Sequence, residues 1–137
     1  MRATLIESAD EHHWMLLDHR VTQLAFDARA FRMQTWSLDS SVEVRLSAPF
    51  TFVSPRGGER RLDPEQTEGL APVLGLLRRP VQSLTITRAG DLVVELADGA
   101  ALRVSPSARV EAWELTGAGS MEGMSYRCRA DGGAPWG

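Results

Sequence analysis

The chain has 137 residues, of which 43% are hydrophobic and 24% are charged, and its formal net charge is −3 at pH 7. Such values are ordinary for a single globular domain and exclude a wholly disordered or fibrous chain. The acidic balance without a long basic block argues against a general nucleic-acid binder. No apolar run approaches the roughly 20 residues that cross a bilayer.

The N-terminal residues 1–13 lack the basic start and the apolar block of a secretory signal. Cys128 is the only cysteine, which excludes an internal disulfide and agrees with a reducing compartment. We therefore expect a cytoplasmic protein with one domain over residues 1–137 and flexible ends at 1–13 and 130–137. We expect no cofactor, no nucleic acid and no membrane association.

Two stretches in the first third of the chain, RVTQLAFDA and AFRMQTWS, predict a hairpin that turns at residues 27–29. The following stretch SVEVRLSAPFTF, residues 41–52, alternates apolar and polar side chains as a half-buried strand does. Pro49 within this stretch cannot donate a backbone hydrogen bond. The strand is therefore expected to lie at an edge there or to be interrupted by a bulge.

Only residues 62–79, LDPEQTEGLAPVLGLLRR, have a helical pattern. Asp63 and Gln66 predict a capping box, and Pro64 suits the first helical position. Apolar residues then repeat at helical spacing, but Pro72 opposes one straight helix, so we expect a short turn followed by a second piece of roughly two turns. The repeating residues are Leu70, Val73, Leu74 and Leu77.

Residues 83–105 predict an antiparallel meander, because short alternating strands are separated by turn residues. Asp98 and Gly99 predict a type I′ turn between the last two strands, since that turn needs positive φ at both central positions. The side chains expected to face inward are Leu84, Ile86, Leu92, Val94, Leu96, Leu102 and Val104.

Two further strands are predicted at residues 109–117 and 124–129. In the first, Glu111, Trp113 and Leu115 share one face, so we expect Trp113 and Leu115 in the core and Glu111 at the wet rim beside the indole. The sequence thus predicts a mainly β (α+β) protein. About seven antiparallel strands would form a curled sheet, roll or sandwich with one short helical insert.

The segment DEHH at 10–13, with His19 further on, is the only concentration of metal-ligating residue types. His12 and His13 would face opposite sides of a strand, so we expect a solvated segment and no metal site. No serine lies in a nucleophile-elbow motif, and Cys128 is expected to be a small core residue. We expect no enzyme, although a converging carboxylate pair stays open as an alternative. The carboxylates concerned are those of Glu95, Glu111 and Glu114.

Arginines and tryptophans supply the other candidate binding residues. Residues 54–61, SPRGGERR, are either a plain solvated loop or a mobile loop in which Arg60 and Arg61 can contact an acidic partner. Trp36 breaks the alternation of its strand and Trp136 lies in a glycine-rich tail, so either can be an exposed binding residue. The alternative is that these tryptophans close the open ends of a small sheet.

Several short motifs occur in a fixed order along the chain: FD at 26–27, LDP at 62–64, the apolar residues 70–76, Val81, GDLVVELADG at 90–99, EAWELTG at 111–117 and the ending GGAPW. In this order they resemble a family of small bacterial proteins of unknown function, common in actinobacteria. The resemblance covers most of the chain from about residue 16. It implies a fold and no catalytic residue, because the family has no established activity.

The small acidic chain without an assembled catalytic motif favours a cytoplasmic protein-binding module that performs no catalysis. Its most specific form would be an immunity protein that neutralises a toxin domain. One alternative is a small-molecule site inside a curled sheet, lined by Glu111, Trp113 and Arg103. Another is a self-associating module in which the strand at Pro49 or the last strand pairs across a homodimer edge.

Overall fold

A computed structural model describes residues 4–7, 11–128 and 130, and the chain forms two antiparallel sheets and one 3₁₀ helix there. The larger sheet has seven strands in the order β1-β2-β8-β9-β10-β6-β7, and the smaller has five in the order β12-β11-β5-β4-β3. The strands are β1 (Thr4–Glu7), β2 (Glu11–Met15), β3 (Arg20–Phe26), β4 (Phe31–Trp36), β5 (Ser40–Leu46), β6 (Phe50–Val53), β7 (Glu59–Leu62), β8 (Val81–Thr87), β9 (Leu92–Leu96), β10 (Ala101–Val104), β11 (Trp113–Gly119) and β12 (Ser125–Arg127), and the 3₁₀ helix is Thr67–Leu76.

The two sheets share one hydrophobic core between their inner faces. Phe31 of the smaller sheet stacks on Phe50 of the larger at 5.8 Å between ring centroids. At the other side of the core, Trp14 of the larger sheet meets Tyr126 of the smaller at 5.4 Å. The alternation of apolar and polar residues in the strands therefore produces a sandwich of two open sheets. No helix in the described part of the chain is both long and apolar enough to span a membrane.

The predicted strand over residues 41–52 is two strands in different sheets. It ends as β5 at Leu46 and resumes as β6 at Phe50, and the Ser47 amide donates to the Ala112 carbonyl at 2.9 Å in between. Pro49 thus interrupts the ladder as expected, but the chain changes sheets there instead of forming a bulge. The strand after Pro49 is also not at an edge, because β6 pairs with both β10 and β7.

The prediction of a mainly β, antiparallel fold with one short helix is confirmed, but the count of about seven strands is wrong, since twelve are present in the described residues. Residues 4–7 and 11–13, assigned to a flexible end, lie in β1 and β2 instead. The predicted loop 54–61 contains the start of β7. Short strands at sheet margins carry too few apolar residues to reveal an alternation.

The meander is confirmed as β8, β9 and β10, and its predicted inward side chains are all buried. The turn between β9 and β10 is not type I′, because Gly99 has φ +96° while Asp98 has no positive φ. The Leu96 amide instead donates to the Ala100 carbonyl at 2.9 Å across a three-residue loop. A left-handed glycine at the end of such a loop is a common hairpin geometry.

The helical insert is one 3₁₀ helix, so the predicted capping box and second helix are wrong. Asp63 accepts a hydrogen bond from the Glu65 amide at 2.9 Å before the helix begins, and Gln66 makes no side-chain cap. With three residues per turn, the buried residues are three apart, and Leu74 and Leu77 become exposed. The buried residues are Leu70, Val73 and Leu76.

Candidate functional site

The five-stranded sheet has two ends that expose different side chains. One end carries the β4–β5 turn, residues 37–39, and the other carries the β3–β4 turn, residues 27–30. We call the first end the tip, and it comprises that turn with Leu17, Trp36, Leu38 and Leu77. We call the second end the charged groove, and its lining residues are Arg29, Arg45, Ser47, Glu65, Val110, Glu111, Trp113 and Glu114.

Apolar side chains are exposed at the tip. Leu38 is fully exposed, and Trp36 is 48% exposed on the outer face of β4, where its backbone partner is Arg20. Leu17 is half-exposed in the neighbouring β2–β3 turn, which the His19 amide closes by donating to the Leu16 carbonyl at 3.0 Å. Of the two alternatives that the sequence left open for Trp36, exposure therefore describes it better than closure of the sheet end.

Leu77 reaches the same end of the molecule from the 3₁₀ helix. The next residue, Arg78, donates its amide to the Val21 carbonyl at 2.7 Å, and the Arg20 guanidinium donates to the Arg78 carbonyl at 3.3 Å. The end of the helix therefore lies against the start of β3. The β2–β3 turn, the end of β4, the β4–β5 turn and the end of the helix together carry four of the large hydrophobic side chains that are exposed in the described residues.

Beneath these apolar side chains lies a chain of buried polar groups. His19 is only 2% exposed, and its Nδ1 and Nε2 lie 3.0 Å from the hydroxyls of Thr35 and Ser40, respectively. The Ser40 hydroxyl is 2.9 Å from that of Ser37, which donates to the Asp39 carboxylate at 3.1 Å. The polar side chains thus connect the core of the sandwich to the surface of the turn.

The backbone of the turn is held from both sides. The Ser37 amide donates to the Ser40 carbonyl and the Ser120 amide to the Asp39 carbonyl, each at 2.9 Å. Gly119 has φ +68°, and a Cβ at that position would lie 2.2 Å from the Asp39 carbonyl oxygen. Only glycine allows this close approach of β11 to the turn.

Two ionisable groups at the tip have shifted pKa values. The hydroxyl of Ser37, which donates to Asp39, is the largest cause that holds the pKa of the Asp39 carboxyl below its ordinary range. Burial lowers the pKa of His19, and the charges of Asp39 and Asp18 partly oppose that effect. At neutral pH the tip therefore combines a neutral imidazole with an ionised carboxylate.

The charged groove is an open depression of about 360 Å³ at the opposite end of the sheet. Two arginines and three glutamates line it. Glu111 lies 3.7 Å from the guanidinium of Arg127, an exposed and long ion pair. The backbone of Arg29 is fixed because its amide donates to the Asp27 carboxylate at 2.8 Å. Glu111, which we expected at a wet rim, therefore has Arg127 beside it, although Arg127 does not itself line the groove.

Trp113 forms the floor of the groove and belongs to the core. It is 1% exposed, and its Nε1–H donates to the Gly90 carbonyl at 2.8 Å. The strand begins only at Trp113, so the prediction of a strand from residue 109 is wrong at its start, and Glu111 precedes the strand as an exposed residue. Leu115 is buried as predicted.

The remaining predicted site residues do not join Glu111 and Trp113. Arg103 pairs with Glu59 at 2.7 Å on the outer face of the larger sheet and does not line the groove, so the predicted trio is not assembled. Arg60 and Arg61 are exposed in β7, an edge strand, and not in a mobile loop. Trp136 lies outside the described residues, as does the predicted flexible end 130–137 apart from its first residue.

The two adjacent histidines of DEHH face opposite sides of β2. His12 is buried and stacks on Trp14 at 5.9 Å, whereas His13 bonds with the Thr85 hydroxyl at 2.7 Å. The prediction of a solvated segment is therefore wrong at His12. Within residues 4–7, 11–128 and 130, no group of three His, Cys, Asp or Glu side chains could hold a metal ion.

Cys128 and its neighbours follow the sequence prediction more closely. The thiol is 1% exposed, and burial raises its pKa. Met124 is buried too, and Tyr126 is partly buried and packs against the core, so this alternating face does point inward. The last strand, β12, lies at the edge of the smaller sheet.

Sequence reasoning missed the polar chain at the tip, although one signal points to it. Thr35 shares the alternation of Phe31 and Met33, which places a hydroxyl in the core. A buried hydroxyl needs a hydrogen-bonding partner. His19 follows a turn at the same end of the adjacent strand β3.

Comparison with known proteins gives a family and no function. The sequence profile of a family of unknown function, DUF6188, matches residues 13–134. Searches of curated proteins and of solved structures each find no match to the chain. Because the matched residues span most of the chain, the protein belongs to the DUF6188 family, and the resemblance to a family of unknown function is confirmed.

Proposed function

We propose that this protein is a non-catalytic protein-binding module and that the tip is its contact surface. The observation that carries the proposal is the exposure of Trp36 at the end of β4 and of Leu38 on the turn that follows, which Ser40 and His19 anchor from within. Tryptophan is enriched among residues that dominate binding energy, and a turn fixed before binding loses little entropy on association.

The surroundings of the tip indicate the chemistry of the partner. Arg20 and Arg78 lie beside the apolar side chains, and so do the acidic residues Asp18 and Asp39. A matching surface would offer an apolar pocket for Trp36 and Leu38 with charged groups of both signs at its rim. A folded protein can present this combination.

The more specific form of the proposal is an immunity protein, in which the partner is a toxin domain that binding inactivates. A small acidic chain is typical of a protein that covers a basic active surface. In this form the protein acts in the cytoplasm as a stoichiometric inhibitor.

A two-hybrid screen of the protein against a genomic fragment library of its source organism tests the proposal. Partners found in this way are then titrated calorimetrically with the wild type and with Trp36→Ala and Leu38→Ala. We expect at least one of the two variants to bind about 30-fold more weakly, as for a hot-spot residue. Because the chain has no lysine, amine-reactive cross-linkers are poor alternatives for this experiment.

Val110→Ala is the matched control, because Val110 is 41% exposed at the opposite end of the same sheet. It should bind each partner as the wild type does. Partners that bind Trp36→Ala and Leu38→Ala as tightly as Val110→Ala would contradict the tip as the contact surface. A screen without any reproducible partner would contradict the protein-binding function itself, and a partner whose activity survives saturation would contradict the immunity form.

The charged groove favours a second candidate, the binding of a small molecule that carries both a carboxylate and a cationic group. Its volume of about 360 Å³ lies in the range of small-ligand sites, and guanidinium and carboxylate groups line it. Free arginine and free glutamate are suitable probes in a thermal-shift assay. We expect stabilisation that Arg45→Ala removes and Arg61→Ala, on the edge strand, does not. Equal shifts in both variants, or none in the wild type, would rule this candidate out.

A further inference from the structure

The hydrogen bonds of the buried polar chain at the tip run in one direction. This direction follows from assigning the hydrogen of each hydroxyl to one acceptor. The Asp39 carboxylate can only accept, so the Ser37 hydroxyl, 3.1 Å away, commits its hydrogen to it. The Ser40 hydrogen is then directed to the Ser37 oxygen, 2.9 Å away, or to the Asp39 carboxylate, with which Ser40 also hydrogen-bonds. The Ser40 hydrogen is therefore not available to His19.

The position of the imidazole hydrogen follows from the same count. Nε2 of His19 lies 3.0 Å from the Ser40 oxygen, and the contact is a hydrogen bond only if Nε2 carries the hydrogen. A neutral imidazole has one N–H, so Nδ1 accepts from the Thr35 hydroxyl at 3.0 Å. Every hydroxyl then donates in one direction, from Thr35 in the core to Asp39 at the surface.

We propose that His19, as the neutral Nε2–H tautomer, is the positioning residue that holds the tip in its binding arrangement, and that protonation of His19 loosens the tip. This inference rests on the proposed function, because it explains how the contact surface is kept in shape. Protonation places a hydrogen on Nδ1, opposite the hydroxyl hydrogen of Thr35. Thr35 is fully buried, so its hydroxyl must find another acceptor inside the core.

Charges from each neighbouring segment act on this imidazole. Asp39 from the β4–β5 turn and Asp18 from its own turn favour the protonated form, and burial opposes it. Arg20 on β3 and Arg78 after the helix lie at the same end of the sheet and add positive charge. The histidine accordingly stays neutral at neutral pH and takes up a proton only as the solution becomes acidic.

Nitrogen-15 NMR of the imidazoles in the full-length protein tests the tautomer. We expect the His19 spectrum to show the Nε2–H pattern at neutral pH. Amide hydrogen exchange of Ser37 and Ser120, the amides that fix the turn, reports its order. In Ser40→Ala we expect both amides to exchange about tenfold faster, the effect of losing one buried hydrogen bond. Acidification should accelerate exchange at the same amides, after correction for the intrinsic pH dependence.

Ser41→Ala is the matched control, because Ser41 is the next residue, is also buried and lies outside the polar chain. It should leave both amides protected. Ser37→Ala, on the turn itself, breaks the connection to Asp39 and gives a second test if Ser40→Ala does not fold. An Nδ1–H tautomer, or equal exchange in Ser40→Ala and Ser41→Ala, overturns the inference. These measurements need no partner, so a failed partner screen with a confirmed tautomer overturns only the proposed function.

Discussion

The tip and the charged groove lie at opposite ends of one sheet, and they differ in which side chains they expose and which they bury. At the tip, Trp36 and Leu38 are exposed while the polar groups of His19 and Thr35 are buried. At the groove, the exposed side chains are charged apart from Val110, and Trp113 is buried beneath them. The groove has the usual arrangement of a soluble protein, and the tip departs from it. The departure makes the tip the better candidate for a contact surface.

The largest expected difference between the two ends comes from removing one tryptophan at each. Trp113→Ala should destabilise the protein by about 3–5 kcal/mol, because it opens a cavity and leaves the Gly90 carbonyl without its donor. Trp36→Ala should cost far less, since 48% of the side chain is already exposed. Denaturant unfolding of both variants measures the contrast, and similar losses would show that Trp36 also holds the fold together.

A smaller loss of stability is expected from Gly119→Ala, which disturbs the close approach of β11 to the tip. The new methyl would meet the Asp39 carbonyl at 2.2 Å with the backbone at φ +68°. We expect destabilisation of about 2 kcal/mol or more and loss of protection at the Ser120 amide. Gly123→Ala is the control, because nothing lies within 4 Å of a Cβ there. Comparable melting temperatures for the two variants would contradict the rigid contact.

Acidic pH should lower the stability of the protein through the protonation of His19. Its pKa in the folded protein lies below the ordinary 6.5, so the unfolded chain takes up a proton first as the pH falls. Stability is thus retained above about pH 6.5 and falls below it by at most about 1.4 kcal/mol per pH unit. The pH dependence of unfolding in His19→Gln should be flatter than that of the wild type. The same slope in both proteins would exclude His19 as its origin.

The smallest effect is expected at the rim of the groove. Glu111→Gln removes an exposed ion pair of 3.7 Å with Arg127, so the free energy of unfolding should change by no more than about 0.5 kcal/mol. The difference should shrink further in high salt. A loss of more than about 1 kcal/mol at any salt concentration would show that Glu111 has a structural role that its exposure does not suggest.

The alternating strands were the part of the fold that the sequence predicts best. Val42, Val44 and Leu46 alternate with polar residues, and period-two burial follows directly from that pattern. The change of sheets at Pro49 could not be predicted, because a proline marks an interruption without saying where the chain goes next. The 3₁₀ helix was missed because its three-residue period resembles the α-helical spacing over a short segment.

The sequence predicts some of the site residues at the two ends of the sheet and misses others. Trp36 and Glu111 were identified from their positions in the alternation. His19 and Ser40 were not, because their contact joins residues 21 apart, and neither lies in a recognisable motif. Polar networks of this kind depend on strand pairing, which a single sequence does not provide.

The buried thiol of Cys128 has a practical consequence for labelling. It is 1% exposed and its pKa is raised, so it should react slowly with maleimides while the protein is folded. A cysteine introduced at the fully exposed position 38 would then be the single fast-reacting thiol of the described chain. A fluorophore attached there would report directly on contacts and motion at the tip, without removal of the natural cysteine.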